Sequence, residues 1–364
     1  MSRPASGTTT SSTTGACSSR TSARATPPTF SRSTTSPPRL PRWFNRRRRR
    51  RAGFNPIDRY QTNLLDTFQP YFEVVWKPVP GLEVTPGVKW AYFKRTIRAP
   101  VNQGTQAPLF FQKSYSEVLP SAEIHYQVND TWSVYAQFAR GFLAPNLNVF
   151  YITSPQDNTL SPQTTWNYQA GGSFRTGRLS VNADVYYIDF GNRISKRNIG
   201  GQTVFYNQGG VIFKGVEGEG TFQLTHSWSI YANGSVNSAT FHNQPDPTQN
   251  GLTIANSPAA TAAGGLIYDH HGLYAALLAK YVGPRWGDDP EFFHLAGYAT
   301  AQLSASYTIP RSGDRPAIKL TGTIDNLFDE HGVDALAGYT AALGTPLVWN
   351  IVPRNFTLQA SVAF

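Results

Sequence analysis

Cysteine is nearly missing from this chain of 364 residues. The single one, Cys17, stands in a segment of odd composition, and residues 56–364 have none. That excludes a disulfide framework and a thiolate metal site from most of the chain. No run of about 18 apolar residues occurs, so there is no candidate transmembrane helix. Acid and lysine are absent from residues 1–55, which hold twelve arginines, six of them in the run Arg46 to Arg51. The rest of the chain sets 20 basic residues against 22 acidic ones, so the formal charge of +10 belongs to the first segment. A body without a positive surplus offers no electrostatic footprint for nucleic acid. Two catalytic signatures are also missing: there is no Gly-x-Ser-x-Gly elbow and no phosphate-cradling glycine loop.

Residues 1–42 are mostly Ser, Thr, Arg, Pro and Ala, with no periodicity. Their apolar content is too low to offset the entropy of ordering, which predicts a disordered segment over 1–55. It is not a secretory signal, because no apolar stretch follows the charges. A basic arm for nucleic acid or anionic lipid is one functional reading. The abrupt return to ordinary composition at about Phe54 to Asp58 favours another, residues translated from a wrong start or frame.

What the body does have is aromatics, 13% of the chain, with abundant Gly, Asn, Gln, Ser and Thr. That mixture suits strands with one polar face. The last stretch shows the pattern best. Phe356, Leu358, Ala360, Val362 and Phe364 fall on one face, and Thr357, Gln359, Ser361 and Ala363 on the other. Alternating segments of this kind recur backwards to Asp66, about thirteen in all. Every second connection is tight: Pro78–Gly81, Asn129-Asp130, Thr176-Gly177, His226-Ser227, His270–Gly272 and Arg311–Arg315. The others are mostly long, as in outer-membrane barrels. Strands of about 10–15 residues match a tilted bilayer span, and Trp76, Trp90, Trp132, Trp228, Trp286 and Tyr281 fall near strand ends, where interfacial girdles hold aromatics. The expected fold is therefore all-β, an antiparallel transmembrane β-barrel of the outer-membrane type over 56–364. Single-chain bacterial barrels have even strand counts. An odd count predicts a missed strand or missing N-terminal sequence, hence an incomplete barrel.

The ordered words Tyr135-Ala-Gln-Phe-Ala-Arg-Gly-Phe142, Leu160-Ser-Pro-Gln-Thr-Thr-Trp-Asn-Tyr168, Val185-Tyr-Tyr-Ile-Asp-Phe-Gly-Asn-Arg-Ile194 and Lys214-Gly-Val-Glu-Gly-Glu219 resemble the β-barrel domain of TonB-dependent outer-membrane receptors. So do Tyr281-Val-Gly-Pro284, Asp325-Asn-Leu-Phe-Asp329 and the terminal Phe364. The resemblance implies a 22-stranded barrel around an N-terminal plug, preceded by a TonB-binding box. It implies import of ferric siderophores, cobalamin or other scarce nutrients, energised through TonB. It also implies residence in the bacterial outer membrane, contact with its lipid, and a C-terminal strand read by the barrel-assembly machinery. No signal peptide, box or plug is recognisable here, so the chain reads as the C-terminal part of such a receptor. A passive porin-like channel is the alternative.

Candidate chemistry in the body is sparse. Glu217 and Glu219 share a strand face about 7 Å apart at ~3.3 Å per residue. Flanked by lipid-side Val216 and Phe222, they read as lumenal rather than as a hydrolase pair. His270 and His271 are neighbours on a turn, expected to point apart, with no third ligand near. The loop-side cations Arg140, Arg193, Lys196, Arg197 and Arg285 are the candidate ligand-binding residues, since they would attract an anionic ferric chelate. Tyr151, Phe205, Tyr206, Phe292, Tyr339 and Trp349 are candidate loop contacts. No catalytic residue, resident metal, cofactor or nucleic-acid partner is expected.

Overall fold

The computed structural model describes residues 60–101, 107–145, 160–199, 202–310, 316–340 and 344–363. All belong to one compact unit, Arg50–Phe364. The segment 1–55, the turn Arg311–Arg315, Tyr151 and Phe364 lie outside the described residues. In chain order the strands are β1 (Tyr60–Phe68), β2 (Tyr71–Glu73), β3 (Trp76–Val79), β4 (Leu82–Val101), β5 (Leu109–Gln127), β6 (Trp132–Leu143) and β7 (Gln163–Arg175). There follow β8 (Leu179–Gly191), β9 (Ile194–Ile199), β10 (Gln202–Asn207), β11 (Gly210–Gln223), β12 (Trp228–His242), β13 (Ala260–His270) and β14 (Leu273–Val282). The last are β15 (Arg285–Trp286), β16 (His294–Leu295), β17 (Tyr298–Ile309), β18 (Ala317–Asp325), β19 (Val333–Tyr339), β20 (Pro346–Asn350) and β21 (Asn355–Ala363).

One antiparallel sheet runs in the order β1-β4-β5-β6-β7-β8-β11-β12-β13-β14-β17-β18-β21. β2 and β3 continue β1 along β4, so the ladder has thirteen positions, as the alternation predicts. The expected bounds need correction at several strands. The first begins at Tyr60 rather than Asp66; β5, whose alternation reads from Tyr115 in the sequence, begins at Leu109. β14 stops at Val282, because Arg285-Trp286 leaves the ladder to pair with His294-Leu295. β18 stops at Asp325, where Asn326 takes a left-handed backbone (φ +51°). Three long loops also carry two-stranded ribbons of their own, β9–β10, β15–β16 and β19–β20.

Three of the tight turns share a local cause. Asn129 Oδ1 accepts from the Thr131 and Trp132 amides, both at 2.9 Å. Thr176 Oγ1 accepts from the Leu179 amide at 3.1 Å, and Thr225 Oγ1 from the Ser227 and Trp228 amides at 3.2 Å. Side-chain oxygens thus replace the ladder partners that the reversing backbone loses. Between β13 and β14, His271 (φ +48°) and Gly272 (φ +79°) are both left-handed, the two-residue turn whose twist matches paired strands.

The faces separate cleanly. Ile124, Ala136, Ala170, Val185, Val216 and Val236 form one cross-strand row, and the large side chains in it are exposed. Phe222, Ile230, Leu266, Leu277, Leu303, Ile324 and Phe356 form a second row. One residue away along the strands, Tyr135, Gly171, Asp184, Glu217, Ser235 and Thr261 form a row on the opposite face. An apolar exterior this continuous is a lipid-facing surface, because soluble monomers rarely expose patches beyond a few hundred Å². Trp132 against Phe174 and Trp228 against Tyr268, at 4.6 and 4.9 Å between ring centroids, place aromatics at the tight-turn end. Trp286 is no girdle residue: it is half-buried in the β15–β16 ribbon against His294. Core-like packing is confined to the loop end of the inner face. There Leu252 and Ile254, from the β12–β13 loop, pack on buried Val211, Ala239 and Phe241.

Candidate functional site

The inner wall carries carboxylates and amides in hydrogen-bonded register. Gln137 donates to Gln169 at 2.6 Å, and Gln169 donates to Asp184 at 2.9 Å. Asn182 and Tyr231 donate to the two oxygens of Glu219, at 3.1 and 3.4 Å. Of these, Asn182, Asp184 and Glu219, with Glu217 and Ser235, line a recess of about 340 Å³. Both glutamates therefore sit on the polar face, as the alternation requires. Glycine makes room for the rings of this wall. Tyr186 lies over Gly215, where an added Cβ would meet the tyrosine oxygen at 2.7 Å and the Val236 carbonyl at 2.6 Å.

At the loop end, carboxylates tie separate connections together. Arg193, leaving β8, pairs with Asp289 of the β14–β17 loop at 2.9 Å and lies 5.3 Å from the Phe241 ring centroid. The other Asp289 oxygen accepts from the Ala255 amide at 3.0 Å, and Glu291 accepts from the Thr253 amide at 2.5 Å. Asp288 accepts from the Phe292 and Phe293 amides through one oxygen, at 2.9 and 3.1 Å, and from Tyr339 through the other at 2.5 Å. Burial pulls the Asp288 carboxyl upward, but the hydrogen bonds from Tyr339, Phe293 and Phe292 outweigh it and hold the group below the usual carboxylate range. The same bond, from the other side, raises Tyr339 above its ordinary value.

Arg285 is buried. It donates to the Asp334 backbone carbonyl, approaches the Asp334 carboxylate at 3.4 Å, and lies 5.7 Å from the Tyr298 ring centroid. Tyr298 donates to the same carboxylate at 2.7 Å. Farther along, Asn326 is buried and holds the turn after β18. It donates to the Glu330 and Val352 carbonyls at 2.9 and 3.0 Å and accepts from the Glu330 amide at 2.8 Å. Asp329, which accepts from the Arg354 amide at 2.9 Å, completes that turn.

The five sequence-selected cations thus divide. Arg193 and Arg285 both join the network around the β14–β17 loop. Arg140 is committed to the wall. Where the β5–β6 ladder ends at Ser121 and Ala139, it pairs with Glu117 at 2.8 Å and donates to the Val118 carbonyl at 2.9 Å. Lys196 is exposed on β9. Arg197 stands opposite Val204 in the β9–β10 ribbon, and its side chain lies outside the described residues. Of the loop aromatics, Phe292 and Trp349 are exposed, at 83% and 68%, while Tyr339 is tied to Asp288. His270 and His271 do not point apart. The left-handed backbone at His271 brings their rings edge to face at 3.8 Å, and no group of three or more metal-ligating side chains occurs among the described residues. Sequence reading missed Asp288, Asp289, Tyr298, Asn326 and Asp334. The only signal was the density of acids in Asp288-Asp-Pro-Glu291, with nothing local to name their partners.

On the closing strand, Phe356, Leu358, Ala360 and Val362 are exposed on one face, and β18 is the strand's neighbour throughout. A family model described as TonB-dependent receptor-like β-barrel matches residues 7–327. The pesticin receptor of Yersinia enterocolitica serotype O:8 is 23% identical over 274 residues, covering 72% of this chain and 39% of that protein. The ferric-pyoverdine BN7/BN8 receptor of Pseudomonas putida is 24% identical over 234 residues, 63% of this chain and 27% of that one. The chain therefore spans well under half the length of these relatives. Among solved structures, the unliganded ferric citrate transporter superposes with a TM-score of 0.71 at 17% identity, over 86% of this chain and 47% of that one. The ferric yersiniabactin uptake receptor of Yersinia pestis gives 0.62 at 19%, over 84% and 46%.

Proposed function

The chain belongs to the family of TonB-dependent receptor β-barrels, and on that premise we propose that it serves the import of a ferric siderophore or similar scarce nutrient, energised through TonB. The family is one of outer-membrane transport receptors, and the lipid-facing exterior and polar inner wall fit that location. The observation that carries the reading is the loop end. Connections from β8, β12, β14 and β18 are knit there by Arg193, Asp288, Asp289 and Arg285, above a polar wall, while the described connections of the other end are tight turns. One consolidated end suits the capture of a ligand before passage. The names of the pesticin and ferric-pyoverdine receptors support the iron-chelate class.

The test is uptake of labelled ferric hydroxamate, catecholate and phenolate chelates by an iron-starved host lacking its own receptors and expressing the full chain. The expected result is accumulation of one class that disappears when TonB is inactivated. Uptake indifferent to TonB, together with steady ionic conductance in planar bilayers, would mark a passive porin-like channel and overturn the proposal.

A further inference from the structure

Two apolar recesses on the described exterior differ in what stands beside them. One, of about 480 Å³, is floored by Ala136 and Ala170 and walled by Ile124 and Val185. Along its loop-side edge Phe138, Tyr168 and Tyr187 form a cross-strand row, with ring centroids 6.4 Å apart at both steps. The next residue in that row is Lys214 of β11, directly opposite Tyr187. Lys214 is exposed and shares the outer face with Val216, and it forms no ion pair among the described residues. Lys214 stands one strand beyond that recess, whose own lining, like that of the other recess of about 600 Å³ around Leu273, Tyr307, Leu320 and Leu358, has no charged side chain.

We propose that the first recess is a docking site for an anionic membrane lipid. The acyl chain lies along Ala136 and Ala170, and the negatively charged headgroup meets Lys214 on the loop side. A lysine on a lipid-facing wall is costly unless its ammonium reaches the interface, and a long apolar stem lets it do so. There the ammonium is beside the aromatic row, the level at which amphipathic rings meet headgroups. Small side chains below the rings leave the wall indented for one chain, and a free cation at the rim selects for charge. The second recess offers an apolar surface alone and so no headgroup selection. The inference rests on the outward orientation of this face and is independent of what the receptor imports.

The test is native mass spectrometry of the detergent-solubilised full chain titrated with equal amounts of phosphatidylglycerol and phosphatidylcholine bearing the same acyl chains. One lysine at an anionic headgroup predicts a preference for phosphatidylglycerol of about fivefold in the first lipid retained. Lys214→Gln should remove the preference and Lys214→Arg should keep it, which separates lost charge from lost folding. Ala170→Phe, which fills the recess from outside, should reduce retention of both lipids. Equal retention by the unaltered chain, a preference that survives Lys214→Gln, or a dimer of this chain that Ala170→Phe abolishes would each overturn the proposal.

Discussion

Asp288 satisfies three donors with two oxygens, and that makes it a sensitive point of the loop end. Its pKa is depressed, so its contribution is present above the ordinary carboxylate range and is lost as pH falls through the lowered value. Tyr339 is shifted the other way: its contribution is present below the ordinary tyrosine value and is lost as pH rises through the raised one. Cleavage of the β18–β21 loop by a protease, normalised at each pH to a denatured control, should be flat from about pH 5 to 9 and rise on either side. Tyr339→Phe should raise the plateau and remove the alkaline rise, leaving the acid one. Gly215 makes a separate case in the wall. Gly215→Ala puts a methyl against Tyr186 and the Val236 carbonyl, and should cost about 1–3 kcal/mol in urea unfolding from micelles. An unchanged midpoint would show that Tyr186 does not need the space.

At the scale of elements, the closing strand separates the two solvents. Leu358, 90% exposed, and its neighbour Gln359 point to opposite faces. A lysine on the lipid face near mid-bilayer costs about 2–4 kcal/mol, whereas one on the lumenal face is tolerated. Leu358→Lys should therefore destabilise the protein refolded in bilayers by that order, and Gln359→Lys by much less; equal effects would contradict the assignment of faces. Deleting Phe364 should impair membrane assembly, read as loss of the folded species in outer-membrane fractions, with normal insertion counting against the role of the strand end. The thirteen ladder positions and the tight turns among the described residues were legible in the sequence, because period-2 alternation and turn-forming Asn, Thr and Gly act over a few residues. The loop ribbons were not. β15 and β16 have two residues each, and β19–β20 slips register twice, so neither alternates long enough to be read. The candidate cations were legible as charges, but their partners were not. Arg193 meets Asp289 across 96 residues of chain and Arg285 meets Asp334 across 49, and only the assembled sheet brings them together.

For the whole molecule, one alternation explains most of what is seen. Exposed Val, Leu, Ile, Phe, Tyr and Trp cover one side of a single sheet, and Asp, Glu, Asn, Gln, Ser and Thr concentrate on the other. Turned inside out, the sheet would bury Asp184, Glu217 and Glu219 in hydrocarbon, at a cost no pairing among them could offset. The lipid site at Lys214, the tolerance of Gln359 and the capture end formed by the loops all depend on this orientation. It is tested most directly by single cysteines placed in turn at Val216, Glu217, Gly218 and Glu219 of β11, in a Cys17→Ser background. The measured quantity is their reaction with a membrane-impermeant maleimide in reconstituted vesicles. Glu217→Cys and Glu219→Cys should label and Val216→Cys and Gly218→Cys should not; uniform labelling, or the reverse alternation, would contradict a barrel wall with lipid outside and water within.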